Sequence, residues 1–192
     1  MKGAHRYGVF KDAFKNRMLF VFGTKGTEEE NAWAFAKARY DAEYFWYQGN
    51  GSIDVICDVD FDASAEPERN VILYGNADTN AAWNTLLSDS PVQIKKGEIR
   101  IGKKELKGND LGCIFIRPKP GSDIASVGVI SGTGAVGMKV NDRRPAFAPD
   151  FAYPDLAVFS ARKFSEGKNG TIAAGFFGLD WQVESGDFVW TE

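Results

Sequence analysis

Two stretches of the chain share one pattern: Met18-Leu19-Phe20-Val21-Phe22-Gly23-Thr24 and Asn70-Val71-Ile72-Leu73-Tyr74-Gly75-Asn76. Each is an apolar run that ends at a glycine, enters a polar loop and then a helix-like segment, starting at Thr27 or near Thr79. A continuous apolar run bounded by turn residues predicts a strand buried on both faces. The loop and helix after it predict the carboxyl edge of an α/β sheet, where such folds bind ligands. Thr27-Glu28-Glu29-Glu30 has capping-box spacing, with Thr27 as N-cap and Glu30 at the third helical position. Its three acids also suit the positive end of a helix dipole. The helix is expected to reach about Gln48 and to stop at Gly49-Asn50-Gly51. Ala32, Trp33, Ala36, Tyr40, Tyr44 and Tyr47 lie along one face, and Phe35, Ala38 and Phe45 widen the apolar arc. That width predicts packing on a sheet and on a second element.

Further along, Ile53–Cys57 reads as a second strand, followed by Asp58, Asp60 and Asp62 alternating with Val59 and Phe61. Pro67 to Asn70 forms a turn into the third strand, Val71–Tyr74, and a short helix follows over about Thr79–Leu87. From Pro91 to Leu106, apolar alternation broken by Gly97 and Gly102 predicts a small antiparallel hairpin. Gly112–Arg117 and Ser126–Ser131 are two more strands, separated only by Pro118–Ala125. That connection is too short for a crossover helix, so the two strands are expected to be antiparallel neighbours. A short helix or turn follows Gly132-Thr133-Gly134, and Asn141–Pro154 is irregular, with three prolines. Leu156–Phe159 and Ile172–Ala174 are late strands, and Gly175-Phe176-Phe177-Gly178 closes the pattern before Trp181. The expected organisation is a lead-in segment lying against the surface (1–17) and one α/β domain (18–192). Its expected class is a flavodoxin-like three-layer sandwich, with a mostly parallel central sheet and an antiparallel hairpin or edge.

Composition narrows the chemistry. The chain has 192 residues and a net charge of −3, with 44% hydrophobic and 14% aromatic residues. A chain of this length buries roughly 70% of its unfolded surface. The basic residues are dispersed, which disfavours nucleic-acid binding, since phosphates need a concentrated positive field. Lys95-Lys96 and Lys103-Lys104 flank turn glycines and read as solvated hairpin ends. Cys57 and Cys113 each sit in an apolar run and read as buried reduced thiols, with a disulfide or a reactive thiol as the alternative. There is no Cys/His cluster of zinc-site spacing. Met1-Lys2-Gly3-Ala4-His5-Arg6 lacks the apolar core of a signal peptide, and no run approaches membrane-spanning length. The expectation is a soluble chain carrying no address, with no membrane partner.

No serine has glycines placed two residues before and two after it, as a nucleophile elbow needs. The only histidine is His5, near the start of the chain. A Ser-His-Asp triad needs a rigidly held base, so no catalytic residue is assigned. The loop Gly23-Thr24-Lys25-Gly26-Thr27 could cradle an anion through close backbone approach, the Lys25 charge and free helix-start N–H groups. It is neither a Walker loop nor a dinucleotide fingerprint, and it also reads as a plain strand-to-helix turn. Asn76, Asp78 and Asn80 could read sugar hydroxyls or a cation; they are equally residues that cap a helix start. Ser131 and Thr133, in Ser131-Gly132-Thr133-Gly134, would complete one crevice with those loops. A serine or threonine nucleophile there would need a base from elsewhere. Asp58, Asp60 and Asp62 resemble the start of a calcium loop, but Ala63 stands where the turn glycine belongs and Arg69 where the bidentate Glu belongs. Neither a metal nor a cofactor is expected. Trp33, Phe45, Trp46, Trp83, Phe176, Phe177 and Trp181 could supply an exposed contact patch as well as core.

Several of these segments, taken in order, resemble a known family. Tyr7-Gly8-Val9-Phe10-Lys11-Asp12-Ala13-Phe14 is similar to the Gly-Pro-Ile-Asp-Asp-Ala-Phe opening of a C-terminal domain in large bacterial prolyl-oligopeptidase-like serine hydrolases. Val21-Phe22-Gly23-Thr24, Asn70-Val71-Ile72-Leu73-Tyr74-Gly75 with Asn80, and Ile116-Arg117-Pro118-Lys119-Pro120 follow in the same order. Tyr153-Pro154-Asp155-Leu156-Ala157-Val158 and Ala174-Gly175-Phe176-Phe177 with Trp181 complete the series. The resemblance implies that the esterase or peptidase triad belongs to a separate upstream α/β-hydrolase module. This chain would then be a non-catalytic accessory or docking domain of an exported parent. No triad residue has a counterpart here. The alternative is an independent small-molecule or carbohydrate-binding domain, or a hydrolase of unrecognised type, using the loops at the carboxyl edge.

Overall fold

The two strand–glycine–loop units lie side by side in the computed structural model, which describes residues 1–15, 17–144 and 152–191. The first is β1 (Met18–Phe22) and α1 (Glu28–Gly49), leading to β2 (Asp54–Cys57). The second is β3 (Asn70–Tyr74) and the short α2 (Trp83–Leu87). A three-stranded antiparallel sheet follows: β4 (Val92–Lys95), β5 (Glu98–Ile101) and β6 (Lys104–Lys107). Its two turns are made by Gly97 and Gly102 at positive φ, a region that favours glycine. The long strands β7 (Leu111–Pro118) and β8 (Ser126–Gly132) come next, then α3 (Ala135–Lys139). The chain ends with β9 (Leu156–Ser160), α4 (Ala161–Ser165), β10 (Thr171–Phe176) and β11 (Asp187–Trp190). Of the irregular stretch Asn141–Pro154, residues 145–151 lie outside the described residues.

The large sheet has eight strands in the order β11-β10-β9-β7-β8-β3-β1-β2. This overturns the flavodoxin-like, mostly parallel expectation. Only the pairs β1–β2, β1–β3 and β3–β8 are parallel. The pairs β7–β8, β7–β9, β9–β10 and β10–β11 are antiparallel. The physical reason lies in the connections. An apolar run serves a buried strand whichever way its neighbours run, and only the length of the link separates a hairpin from a crossover. Residues 119–125, 161–170 and 177–186 are short links, and each joins antiparallel neighbours. The predicted hairpin at 91–106 gains a third strand, and β11 and α4 are elements that the pattern did not predict.

The α1 boundaries follow the prediction. Thr27 Oγ1 accepts from the Glu30 N–H, Glu30 caps the Thr27 N–H in return, and Asn50 closes the helix in the left-handed region. The face it buries follows only in part, with Trp33 and Ala38 buried as expected. Ala34, Ala38 and Asp41 are buried, whereas Ala36, Tyr40 and Tyr47 of the expected stripe are exposed. Two alanines let the helix axis approach the sheet closely, and the tyrosine hydroxyls gain from water. Residues 10–14, expected in a surface lead-in, are core instead. Phe10–Phe14 forms a short 3-10 helix whose Phe10, Ala13 and Phe14 are buried, and Phe14 meets Phe20 edge to face.

Asp155, immediately before β9, explains how that segment is held. Its carboxylate accepts from Val9 N (2.6 Å), Phe177 N (2.9 Å) and Lys2 Nζ (2.5 Å), and it has no solvent exposure. Beside it, the Arg117 guanidinium donates to the Trp181 carbonyl and lies 4.9 Å from the centre of the Phe177 ring. Burial pulls Arg117 down to about 10, against the raising effect of Asp155.

Candidate functional site

The carboxyl edge assembles as the glycines predict. Gly23 N donates to the Tyr74 carbonyl and Gly75 N to that of Ile130, so the loops after β1, β3 and β8 sit side by side. A side chain at Gly23 would bring its Cβ to 2.3 Å from the Thr79 carbonyl oxygen, so only glycine permits this approach. The predicted crevice residues are thus brought together. There, most of their polar groups are taken up by hydrogen bonds to other parts of the chain.

Thr24 Oγ1 donates to Asp58 Oδ1 (2.6 Å), whose other oxygen accepts from Ala81 N (2.5 Å). Gly26 N donates to Asn31 Oδ1, and Thr27 is occupied by the capping box. Asn76 is fully buried, donating to the Gly132 carbonyl (2.8 Å) and accepting from Asp78 N (3.0 Å). Asn80 donates to both the Val21 and Tyr74 carbonyls at 3.1 Å. Thr133 Oγ1 accepts from Leu111 N, and Ser131 Oγ is buried without a hydrogen-bond partner. Lys25 donates its backbone N–H to the Thr79 carbonyl, and its side chain is exposed. The small sheet closes over the same edge: Lys96 N donates to Asp78 Oδ2, Ala77 N to the Ile94 carbonyl and Gly97 N to that of Thr133. Burial pushes the Glu30 carboxyl up, but hydrogen bonds from Thr27 and Lys96 outweigh it and hold the group below the usual carboxylate range. Sequence reasoning missed Asp58 as the clamp of this edge. Its only signal was an acid placed directly after a strand.

A second constellation lies under α1. Lys37 Nζ is 2.6 Å from Asp41 Oδ1, both side chains are buried, and Tyr74 OH donates to the other Asp41 oxygen (3.1 Å). Burial pushes the Asp41 carboxyl up, opposed by the Lys37 charge. Burial and the Asp41 charge together push the Tyr74 hydroxyl well up. A cavity of about 480 Å³ opens beside the pair, lined by Trp33, Ala36, Lys37, Tyr40 and Asp142. The Trp33 indole donates to Asp142 Oδ1 at its wall. Lys37 and Tyr74 both bond to the Asp41 carboxylate, so this arrangement offers a fixed ion pair and a phenol donor.

The other candidate groups are dispersed. His5 is exposed. Cys113 is buried and burial pushes its thiol up, while Cys57 donates to Asp60 and that hydrogen bond pushes its thiol up as well. A raised thiol is a poor nucleophile. Among the described residues no group of three or more His, Cys, Asp or Glu is placed to hold a metal ion. Asp58 is tied to Thr24 and Ala81, Asp60 to Cys57 and Asp62 to Ser64, so the three acids of the calcium-like spacing point to different partners. Trp33, Trp83, Phe177 and Trp181 are buried and Phe45 is partly buried, whereas Trp46 and Phe176 are exposed. No helix among the described residues is long and apolar enough to cross a membrane.

Fold and edge together define a mixed α/β protein whose loop-bearing sheet edge uses most of its polar groups in internal hydrogen bonds. No protein-family model matches the chain, and no curated protein matches it.

Proposed function

We propose that this chain is a non-catalytic accessory or docking domain of a prolyl-oligopeptidase-like serine hydrolase, with an α/β-hydrolase module as its partner. One observation carries the reading: most polar groups of the carboxyl-edge loops are taken up by hydrogen bonds within the protein, while large aromatic side chains are left to solvent on α1. Trp46 is 56% exposed and Tyr47 77%. Uncovered aromatic side chains of this size favour a contact surface. The sequence resemblance supplies the partner class.

The test is an assay of the purified chain on activated esters and chromogenic peptides, alongside a titration of the chain with a prolyl-oligopeptidase-like hydrolase module. The expected result is background turnover and a saturable change in tryptophan fluorescence that Trp46→Ala weakens. Turnover well above background, retained on repurification and lost on a single substitution, overturns the reading. A second reading is an independent small-molecule or carbohydrate-binding domain, favoured by the exposed Lys25 and Asp78 at the rim of the edge loops. A thermal-shift screen decides it: no stabilisation by anions, sugars or nucleotides removes it.

A further inference from the structure

The link from β1 to β2 carries a helix of 22 residues, whereas the link from β2 to β3 carries only a 3-10 turn at Asp58–Asp60. In doubly wound sheets successive crossovers of this kind cover opposite faces. Phe22 meets Phe35 of α1, and Tyr74 reaches Asp41 of α1, so Phe20 and Phe22 face the helix. Leu19 alternates to the other face, beside Val71 in register. There, under β1 and β2, lies a cavity of about 380 Å³ in place of a helix. Its size is that of a small-ligand site.

The floor is apolar, formed by Leu19, Ile56 and Val71, and Phe61 and Ala65 stand at its wall. Four carboxylates and two cations line it. Both cations are turned into the protein. Arg69 binds Asp54 (2.6 Å), Glu66 (2.5 Å) and the Met18 carbonyl, and Lys119 Nζ binds the carbonyls of Glu66 and Arg69. Arg17 also pairs with Glu66 (2.6 Å), so Asp54 and Glu66 are both matched by cations. Asp60 and Asp62 are exposed and have no ion-pair partner among the described residues. Hydrogen bonds from Ser64 hold Asp62 below the usual carboxylate range.

We propose that this cavity binds a small organic cation with an apolar body, an arylalkylamine of about ten non-hydrogen atoms, its ring on Leu19, Ile56 and Val71 and its ammonium at Asp60 and Asp62. The cavity selects the apolar body, and the two unneutralised carboxylates select the charge. A metal ion has no convergent ligand set here. An anion would meet uncompensated negative charge, and the Phe61 ring adds an aromatic wall that favours a cation. The proposal is independent of the docking role.

The probe is 2-phenylethylamine, titrated into isotope-labelled chain and followed by amide chemical shifts. Phenylacetate, 2-phenylethanol and ammonium chloride serve as matched controls. The expected result is saturable shifts at Leu19, Ile56 and Val71, with each control at least fivefold weaker and the amine weakened by added salt. The pair Asp60→Asn/Asp62→Asn should lower amine affinity at least fivefold. Ala65→Trp should fill the cavity from its rim and abolish binding with the carboxylates intact, which keeps the test decisive if the first variant does not fold. The absence of saturable shifts overturns the proposal. So does phenylacetate or phenylethanol binding as tightly as the amine, or undiminished amine binding in the folded variants.

Discussion

Asp155 sits where three distant parts of the chain meet, and Asp41 sits within one helix. Both carboxylates are buried, at 0% and 1% exposure. Asp155 is satisfied by two backbone N–H groups and the Lys2 ammonium, drawn from residues 2, 9 and 177. Asp41 is satisfied by a lysine one turn away and one phenol. The difference is between a carboxylate that defines the fold and one that fills a helix–sheet contact. Removing Asp155 strands donors on separate segments, whereas the Asp41 pair can be replaced as a unit.

The largest effect is expected at Asp155. Asp155→Ala leaves the Val9 and Phe177 N–H groups without their acceptor and the Lys2 ammonium with only the Phe177 carbonyl. It should destabilise the chain by about 3–5 kcal/mol in denaturant titration. A loss below about 1 kcal/mol would break the contrast, because Asp155 would then be no keystone. Next comes Lys37→Met, expected to lose about 1.5–3 kcal/mol at neutral pH through the stranded Asp41. The double variant Lys37→Met/Asp41→Leu should recover most of that loss, since an apolar pair of similar volume often replaces a buried ion pair at little cost. A strictly additive double variant would count against the pair acting as a unit.

The pH dependence sharpens the comparison. Burial raises the folded-state value of Asp41 above its unfolded one. Between those two values the folded chain binds the extra proton, so the contribution of Asp41 to stability falls as pH rises through that window. The stability difference between the native chain and Asp41→Asn should therefore shrink with rising pH in the acid range, as read from denaturation at a series of pH values. A difference that grows with pH would mean that the Lys37 charge outweighs burial. The smallest effect is expected at Lys25, whose side chain is exposed while its backbone does the bonding. Lys25→Ala should change stability by less than about 0.5 kcal/mol. A larger loss would make that side chain structural.

Much of the local structure was legible. The capping box at Thr27 and Glu30, the glycine exits at Gly23 and Gly75 and the antiparallel neighbours β7 and β8 all follow from spacing that acts over a few residues. The face of α1 was legible only in part, because apolar residues surround much of the helix and only contact with the sheet selects Ala34 and Ala38 over Tyr40 and Tyr47. The direction of β9 and β10 was not, because a doubly buried run carries no mark of its neighbours' polarity. At the candidate site the loops were legible and their partners were not. Nothing near Thr24 or Asn76 announces Asp58 or the Gly132 carbonyl.

By itself the sequence determined which residues start and stop helices and where strands deliver glycine-rich loops, since caps, turns and apolar runs are settled by groups a few positions apart. Only the tertiary structure decided that those loops close on each other and that a cavity lies beneath β1 and β2. It also decided that one aspartate joins residues 2, 9 and 177. Those outcomes depend on competition between groups far apart in the chain for the same buried donors and acceptors, and that competition is resolved only when the segments meet.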